Sequence, residues 1–212
     1  MSTPDLRASL ALYLVSPEGW GTGEGDEAQL TRLIRAGVGT VQFREKEPRI
    51  DRLERATRMR ELCREHGAIF LVNDDLALAQ RLDADGVHVG VDDATVAEAR
   101  AQLGEGKIVG ATARTQDRAQ RALAEGADYL GVGAIYDATA SKADAVTGGL
   151  ALLRQMREVY AGRDARIVAI GGITLERAPD CVAAGADGVA MIRGLWGLED
   201  PEGTLARYRA AL

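Results

Sequence analysis

The residues able to do chemistry in this chain collect just after short apolar runs. The clearest case is Val41-Gln42-Phe43-Arg44-Glu45-Lys46. Side chains alternate along a strand, so Val41 and Phe43 share one face, Gln42 and Arg44 share the other, and Lys46 continues the polar row past the strand end. A solvated edge strand can carry this pattern. The surroundings favour a buried parallel strand: an apolar-periodic helix and Ala36-Gly37 precede it, and another helical pattern follows. An amide and two cations facing inward there call for an anionic ligand, since arginine offers a planar fork and lysine a point charge. Further on, Asn73-Asp74-Asp75 ends the run 68–72, and Asp92-Asp93 follows 86–90. Either acid alone reads as a helix N-cap. Both together, beside Arg44 and Lys46, suit Mg²⁺ held by two carboxylates and the oxygens of a di- or triphosphate. Finally, Ile170-Gly171-Gly172 and Met191-Ile192-Arg193-Gly194 offer backbone N–H groups that glycine leaves unobstructed, which suits a phosphate monoester.

The elements that must position these groups follow from periodicity. Apolar runs over 10–15, 41–44, 68–72, 86–90, 107–111, 128–132, 166–170 and 187–192 read as strands. Helical spacing follows each one. Asp26 is expected to cap a helix to about Ala36, and a second runs from Arg52 to His66. Others reach Leu82 from an Asn73–Asp75 cap, span 94–102, and end at Ala124. Later helices cover 150–160, run from a Thr174 cap to Ala184, and span 201–211. Eight strands, each followed by a helix, predict an α/β fold: a single-domain (β/α)₈ TIM barrel over residues 1–212, with a doubly wound open sheet as runner-up. Ala36-Gly37, Ala84-Asp85-Gly86, Gly126-Ala127-Asp128 and Gly185-Ala186-Asp187 each precede an even-numbered strand, an echo that suggests a two-unit repeat.

In such barrels the site lies at the C-terminal ends of the strands. That rule gathers the residues named above with Thr112 and Arg114 after strand five, and with Thr139, Ser141 and Lys142 in a long loop, 133–147, that is a candidate lid. Two anion sites in one mouth suggest displacement of pyrophosphate by a phosphorylated nucleophile. No Cys/His pair or Ser/His/Asp order points to covalent catalysis. His66 reads as structural, and His88, between Val87 and Val89, as a packed core histidine rather than a base.

The chain has 212 residues, 46% hydrophobic and 27% charged, with a formal net charge of −6. An acidic balance argues against non-specific nucleic-acid binding, so any anion site is local. Cys63 and Cys181 have no metal spacing and read as reduced, packed thiols. With no signal pattern at the N-terminus and no apolar run of membrane length, the expected location is the cytoplasm. The expected partners are small-molecule substrates, with no nucleic acid and no membrane, and homo-oligomerisation is left open.

On these stretches the chain resembles the thiamine phosphate synthase family. The matching segments are Tyr13-Leu14-Val15, Val41–Lys46, Val72-Asn73-Asp74, Gly86–Gly90 with Asp93, Gly131-Val132-Gly133, Ala169–Ile173 and Gly185–Ala190. The resemblance implies transfer of an aminopyrimidine-methyl group from its diphosphate to the nitrogen of a thiazole monophosphate, by a dissociative route. It implies that Gln42 contacts the pyrimidine, that Arg44, Lys46 and Asn73 hold the diphosphate, and that Asp74 and Asp93 hold Mg²⁺. Gly172, Ile192 and Arg193 receive the thiazole phosphate through backbone groups. Three departures stand out: Thr112 replaces the family serine, and Arg193 replaces another. The loop from Gly133 matches the family's hydroxyl and lysine pattern at Thr139, Ser141 and Lys142 only after a one-residue shift. A thiazole tautomerase and a non-catalytic phosphate-binding barrel are the rival expectations. The tautomerase family uses a histidine where Arg114 stands, and a passive binder needs neither Asp74 nor Asp93.

Overall fold

The computed structural model describes residues 5–47, 49–136, 149–160 and 165–210. Eight parallel strands close into a barrel in sequence order. They are β1 (Leu12–Val15), β2 (Thr40–Phe43), β3 (Ile69–Asn73), β4 (Gly86–Val89), β5 (Ile108–Ala113), β6 (Tyr129–Val132), β7 (Arg166–Ile170) and β8 (Gly188–Met191). The helices are α1 (Leu6–Leu10), α2 (Asp26–Arg35), α3 (Arg52–His66), α4 (Leu76–Arg81), α5 (Val96–Leu103), α6 (Gln116–Ala124), α7 (Gly149–Val159), α8 (Ala178–Ala183) and α9 (Pro201–Ala210). The (β/α)₈ expectation holds, and closure leaves no edge for the polar row of β2 to wet.

Strand alternation divides the core in two. Leu14, Val41, Phe43, Val72, Val87, Val109, Leu130, Ala169 and Val189 point outward and pack against the helices. Tyr13, Val15, Leu71, Tyr129, Val168 and Ala190 fill the barrel interior. Each fully buried large apolar side chain contributes about 1.5–3 kcal/mol, and one-residue slippage would exchange the two sets. That constraint fixes which polar residues face the lumen: Gln42, Asn73, His88 and Thr112 share the phase of the interior set.

Several local expectations are corrected. Residues 10–15 are not one strand, because Leu10 ends α1, whose first turn is capped by Asp5 accepting from Arg7 N (3.0 Å). Asp26 is the first residue of α2, not its cap. Gly25 takes the cap position at φ 89°, and the Asp26 carboxylate accepts from the N–H groups of Gly21 (2.7 Å) and Gly23 (3.1 Å), closing the glycine loop. Thr174 does not cap α8. Its carbonyl accepts from Arg177 and Ala178, forming a separate turn, and Pro179 occupies the first turn of the helix that follows. Strand β5 extends through Thr112, so this residue belongs to the barrel wall rather than to the loop after it.

The repeated Asp before even-numbered strands acquires a physical meaning. Asp85, Asp128 and Asp187 each accept from the backbone N–H of the preceding strand, at Phe70 (2.8 Å), Val109 (2.7 Å) and Ile167 (2.8 Å). Arg100 and Arg157 pair with Asp128 and Asp187 at 2.5 Å. This ring clamps the N-terminal ends of the strands, the end opposite the site.

Candidate active site

A cavity of about 480 Å³ opens at the C-terminal ends of the strands. Gln42, Arg44, Lys46, Asn73, Asp74, Asp93, Thr112, Gly172, Ile192 and Arg193 all line it, as does Arg114. The sequence assembled these from six strand ends, and closure of the barrel brings them to one mouth. Thr139, Ser141 and Lys142, and with them the loop register and the lid, lie outside the described residues.

The turn after β2 is built to hold Arg44 and Lys46 in the mouth. Glu45 continues the outward phase of Val41 and Phe43, so its carboxylate enters the layer between barrel and helices, with its side chain 0% exposed. Arg55 of α3 meets it there at 2.6 Å, is itself 6% exposed, and also donates to Trp20 O (2.7 Å). Glu45 also accepts from Gly19 N (3.2 Å). From the other side, Glu18 accepts from the N–H groups of Lys46 (2.8 Å) and Glu47 (3.0 Å), and its second oxygen lies 3.4 Å from Arg44 Nη1. Burial works against the charged form of Glu18, but the bond with Glu45, the two N–H donors and Arg44 outweigh it and hold its pKa at about 2. Ser16 completes the support by accepting from Arg44 N (3.0 Å). Sequence reasoning passed over Glu18, Glu45 and Arg55. The alternation that placed Gln42 inward already put Glu45 outward, where a carboxylate needs a cation from the covering helix.

Asp74 and Asp93 are not helix caps, and the expected cap at Asn73–Asp75 falls to Asp75. Asp75 caps α4 by accepting from Leu78 N (2.8 Å), and Thr95 caps α5 in a reciprocal box with Glu98. Asp74 is thereby released into the mouth. It stands at φ 62°, in the region that favours glycine, and its N–H donates to His88 O (2.9 Å). Asp93 accepts from Gly90 N (2.9 Å). A Cβ on Gly90 would lie 2.3 Å from Asp93 Oδ2 and 3.7 Å from Asp74 Oδ1, so both carboxylates converge over a bare glycine. Burial, then the neighbouring Asp93, pushes the Asp74 carboxyl up to about 6; Lys46 and Asn73 oppose this. Two converging carboxylates short of positive charge fit a hard divalent cation. Among the described residues no three His, Cys, Asp or Glu side chains group as metal ligands, so the rest of a cation's shell falls to ligand oxygens and water.

The floor of the cavity holds a row the sequence reading missed. Gln42 Nε2 donates to Tyr13 Oη (2.7 Å), which lies 2.9 Å from Tyr129 Oη. Tyr129 Oη is 2.9 Å from His88 Nδ1, and His88 Nε2 is 3.0 Å from Thr112 Oγ1. His88 faces the interior as a packed, hydrogen-bonded part of the cavity wall. Burial lowers its pKa to about 4 against the pull of Asp93, so it is neutral near pH 7. Burial raises both phenols. Their signal in sequence was phase alone: Tyr13 and Tyr129 occupy inward strand positions.

Opposite the acids, Gly171 (φ 103°) and Gly172 (φ 65°) turn the chain after β7. Ile135 and Tyr136 strap this turn by donating to Ile170 O (3.0 Å) and Gly171 O (2.9 Å). No acceptor among the described residues takes the N–H of Gly172, Arg193 or Gly194. These donors suit a phosphate.

A family model described as thiamine monophosphate synthase matches residues 12–195. The chain belongs to the thiamine monophosphate synthase family. It is 41% identical over 201 residues to the thiamine-phosphate synthase of Thioalkalivibrio sulfidiphilus, covering 94% of this chain and 93% of that one. The thiamine-phosphate synthase of Geobacillus kaustophilus is 40% identical over 218 residues, covering 100% of this chain and 96% of that protein. Thiamine phosphate pyrophosphorylase from Pyrococcus furiosus superposes with a TM-score of 0.83 at 30% identity, covering 98% of this chain and 97% of that one. By family this is a transferase of thiamine biosynthesis acting on small molecules. The tautomerase and passive-binding readings are not favoured. Among the described residues, no helix is long and apolar enough to cross a membrane.

Proposed function

We propose that this chain, acting as one domain over residues 1–212 in the cytoplasm, moves an aminopyrimidine-methyl group from its diphosphate to the ring nitrogen of thiazole monophosphate, releasing pyrophosphate. The observation that carries the reading is the convergence of Asp74 and Asp93 over Gly90 in the same mouth as Arg44, Lys46 and the glycine turns after β7 and β8. A leaving diphosphate and a waiting monophosphate each have a complementary wall.

Gln42 binds the pyrimidine edge. Arg44, Lys46 and Asn73 hold the diphosphate, and Thr112 and Lys142 contribute a hydroxyl and a cation to the leaving side. Asp74 and Asp93 would hold Mg²⁺, whose charge neutralises developing negative charge on pyrophosphate when it is bound. Gly172, Ile192 and Arg193 receive the thiazole phosphate through backbone N–H groups. Departure of pyrophosphate leaves a pyrimidine-stabilised cation, which the thiazole nitrogen captures. Two requirements dominate: stabilising negative charge that develops on oxygens, and holding the reactants in register. No general base is needed, in keeping with a neutral, hydrogen-bonded His88.

The test is pyrophosphate release from the two substrates, with and without Mg²⁺, in the natural protein and in Asp93→Ala. Release should need both substrates and the metal and should fall at least ~100-fold in the variant, the scale of losing one electrostatic stabiliser. Metal-independent release, or an Asp93→Ala variant of normal rate, would overturn the metal assignment.

A further inference from the structure

The row across the cavity floor has a direction, which proton counting reveals. A phenol or an alcohol carries one proton, and a neutral imidazole carries one on either nitrogen but not both. Each member of Gln42–Tyr13–Tyr129–His88–Thr112 has the next within 3.0 Å. In a first arrangement His88 Nε2–H donates to Thr112, and the rest follows: Nδ1 must accept from Tyr129, Tyr129 then has no proton left for Tyr13, so Tyr13 donates to Tyr129 and the Gln42 amide donates to Tyr13. In the reversal Thr112 donates to Nε2 instead, Nδ1–H donates to Tyr129, and the phenols are no longer fixed in one direction: one tyrosine accepts twice with its own proton off the row, or the Gln42 amide turns its oxygen to Tyr13.

The mouth distinguishes the two. Thr112 Oγ1 lies in the cavity wall with Arg44, Lys46 and Arg114. Reversal would spend the Thr112 proton on His88 and turn lone pairs toward a cavity gathered around cations for an anion. The first arrangement frees that proton. No acceptor among the described residues takes it, and none donates to Gln42 Oε1. The rings are held to this line by close packing. The Tyr13 and Tyr129 centroids lie 6.0 Å apart, and those of His88 and Tyr129 5.5 Å apart. A Cβ on Gly110 would lie 2.0 Å from Tyr129 Cζ, and one on Gly131 2.9 Å from His88 Cε1.

We propose that Tyr13, Tyr129 and His88 are positioning residues that lock one proton direction from Gln42 to Thr112, so the cavity receives an open acceptor at Gln42 Oε1 and a hydroxyl proton from Thr112. The amide then presents its oxygen and its second N–H side by side, the complement of a ring nitrogen beside an exocyclic amine. The Thr112 proton is aimed at an anionic oxygen of the leaving group. The substrate side of this statement rests on the proposed synthase reaction; the proton direction does not.

The experiment is ¹⁵N NMR of the ligand-free natural protein labelled at histidine, which has only His66 and His88 to resolve. His88 is expected as the neutral Nε2–H tautomer at pH 7, with Nδ1 unprotonated. The Nδ1–H tautomer, an even mixture or an imidazolium would overturn the proposal. Tyr129→Phe removes the donor to Nδ1, and His88 should then lose its single tautomer; a retained Nε2–H form would mean that Tyr129 does not set the direction. In kinetics, Tyr129→Phe should raise the KM for the pyrimidine diphosphate about tenfold, the worth of one hydrogen bond, and leave the KM for thiazole phosphate unchanged. Equal changes in both would count against a positioning role. Thr112→Ser should retain kcat and Thr112→Val should lose at least ~10-fold; equal rates in the two would overturn the Thr112 end. Because the tautomer is measured without ligand, failure of the synthase reading would leave it standing, and a wrong tautomer would leave the synthase reading standing.

Discussion

Replacing Arg55 with methionine tests how the β2 turn is held. In the folded protein the Glu45 side chain is 0% exposed and its nearest cation is Arg55, 2.6 Å away. Arg55→Met keeps the apolar stem and removes the charge, so Glu45 is left buried with only the longer contact to the exposed Arg49 (3.7 Å), and Trp20 O loses its 2.7 Å donor. Breaking one side of a buried pair costs about 3–5 kcal/mol. A chain of this size shifts Tm by roughly 2–4 °C per kcal/mol, so the variant should melt roughly 6–20 °C below the natural protein. The double variant Glu45→Leu/Arg55→Met removes both charges and should regain at least about half of the loss, because apolar replacement of a whole buried pair is often neutral. The assay is denaturant and thermal unfolding of the natural protein, both single variants and the double variant, read as a cycle. Because Glu45 and Glu18 hold the turn that presents Arg44 and Lys46, Arg55→Met should also raise the KM for the diphosphate substrate more than that for thiazole phosphate. A single-variant loss below about 1 kcal/mol, or a double variant as unstable as the two losses summed, would refute the argument.

The other predictions address separate parts of the molecule. Asp187→Ala removes the acceptor for Ile167 N and the partner of Arg157 at the base of the barrel; it should cost about 1–3 kcal/mol in unfolding experiments while kcat stays unchanged. Gly110→Ala would set a Cβ 2.0 Å from Tyr129 Cζ, a ring held between Tyr13 and His88; a stability loss of about 1–3 kcal/mol or more and a disturbed His88 resonance are expected. Glu18 is held at about 2, below its ordinary 4.5, so its contribution to stability is present above pH 4.5 and is lost as pH falls toward 2. Glu18→Gln should flatten that part of the acid-unfolding curve, and an unchanged slope would remove Glu18 from the account.

The sequence by itself determined the fold class and most of the mouth. Alternation of apolar residues, strand-helix repetition and glycine turns are local signals, and each survives into the structure nearly in place. Gln42 is legible as lumenal because its neighbours Val41 and Phe43 must face the helices. Asp74 and Asp93 were ambiguous locally, since an acid before a helix is an ordinary cap. Only the folded chain, by giving the caps to Asp75 and Thr95, frees them for the mouth. The row from Gln42 to Thr112 was not legible at all. Its members come from β2, β1, β6, β4 and β5, and the contact between Tyr13 and Tyr129 joins residues 116 positions apart. No periodicity encodes such a distance. Strand phase says that a side chain faces the lumen, whereas barrel closure and register decide which lumenal side chains touch, and therefore which proton each one holds.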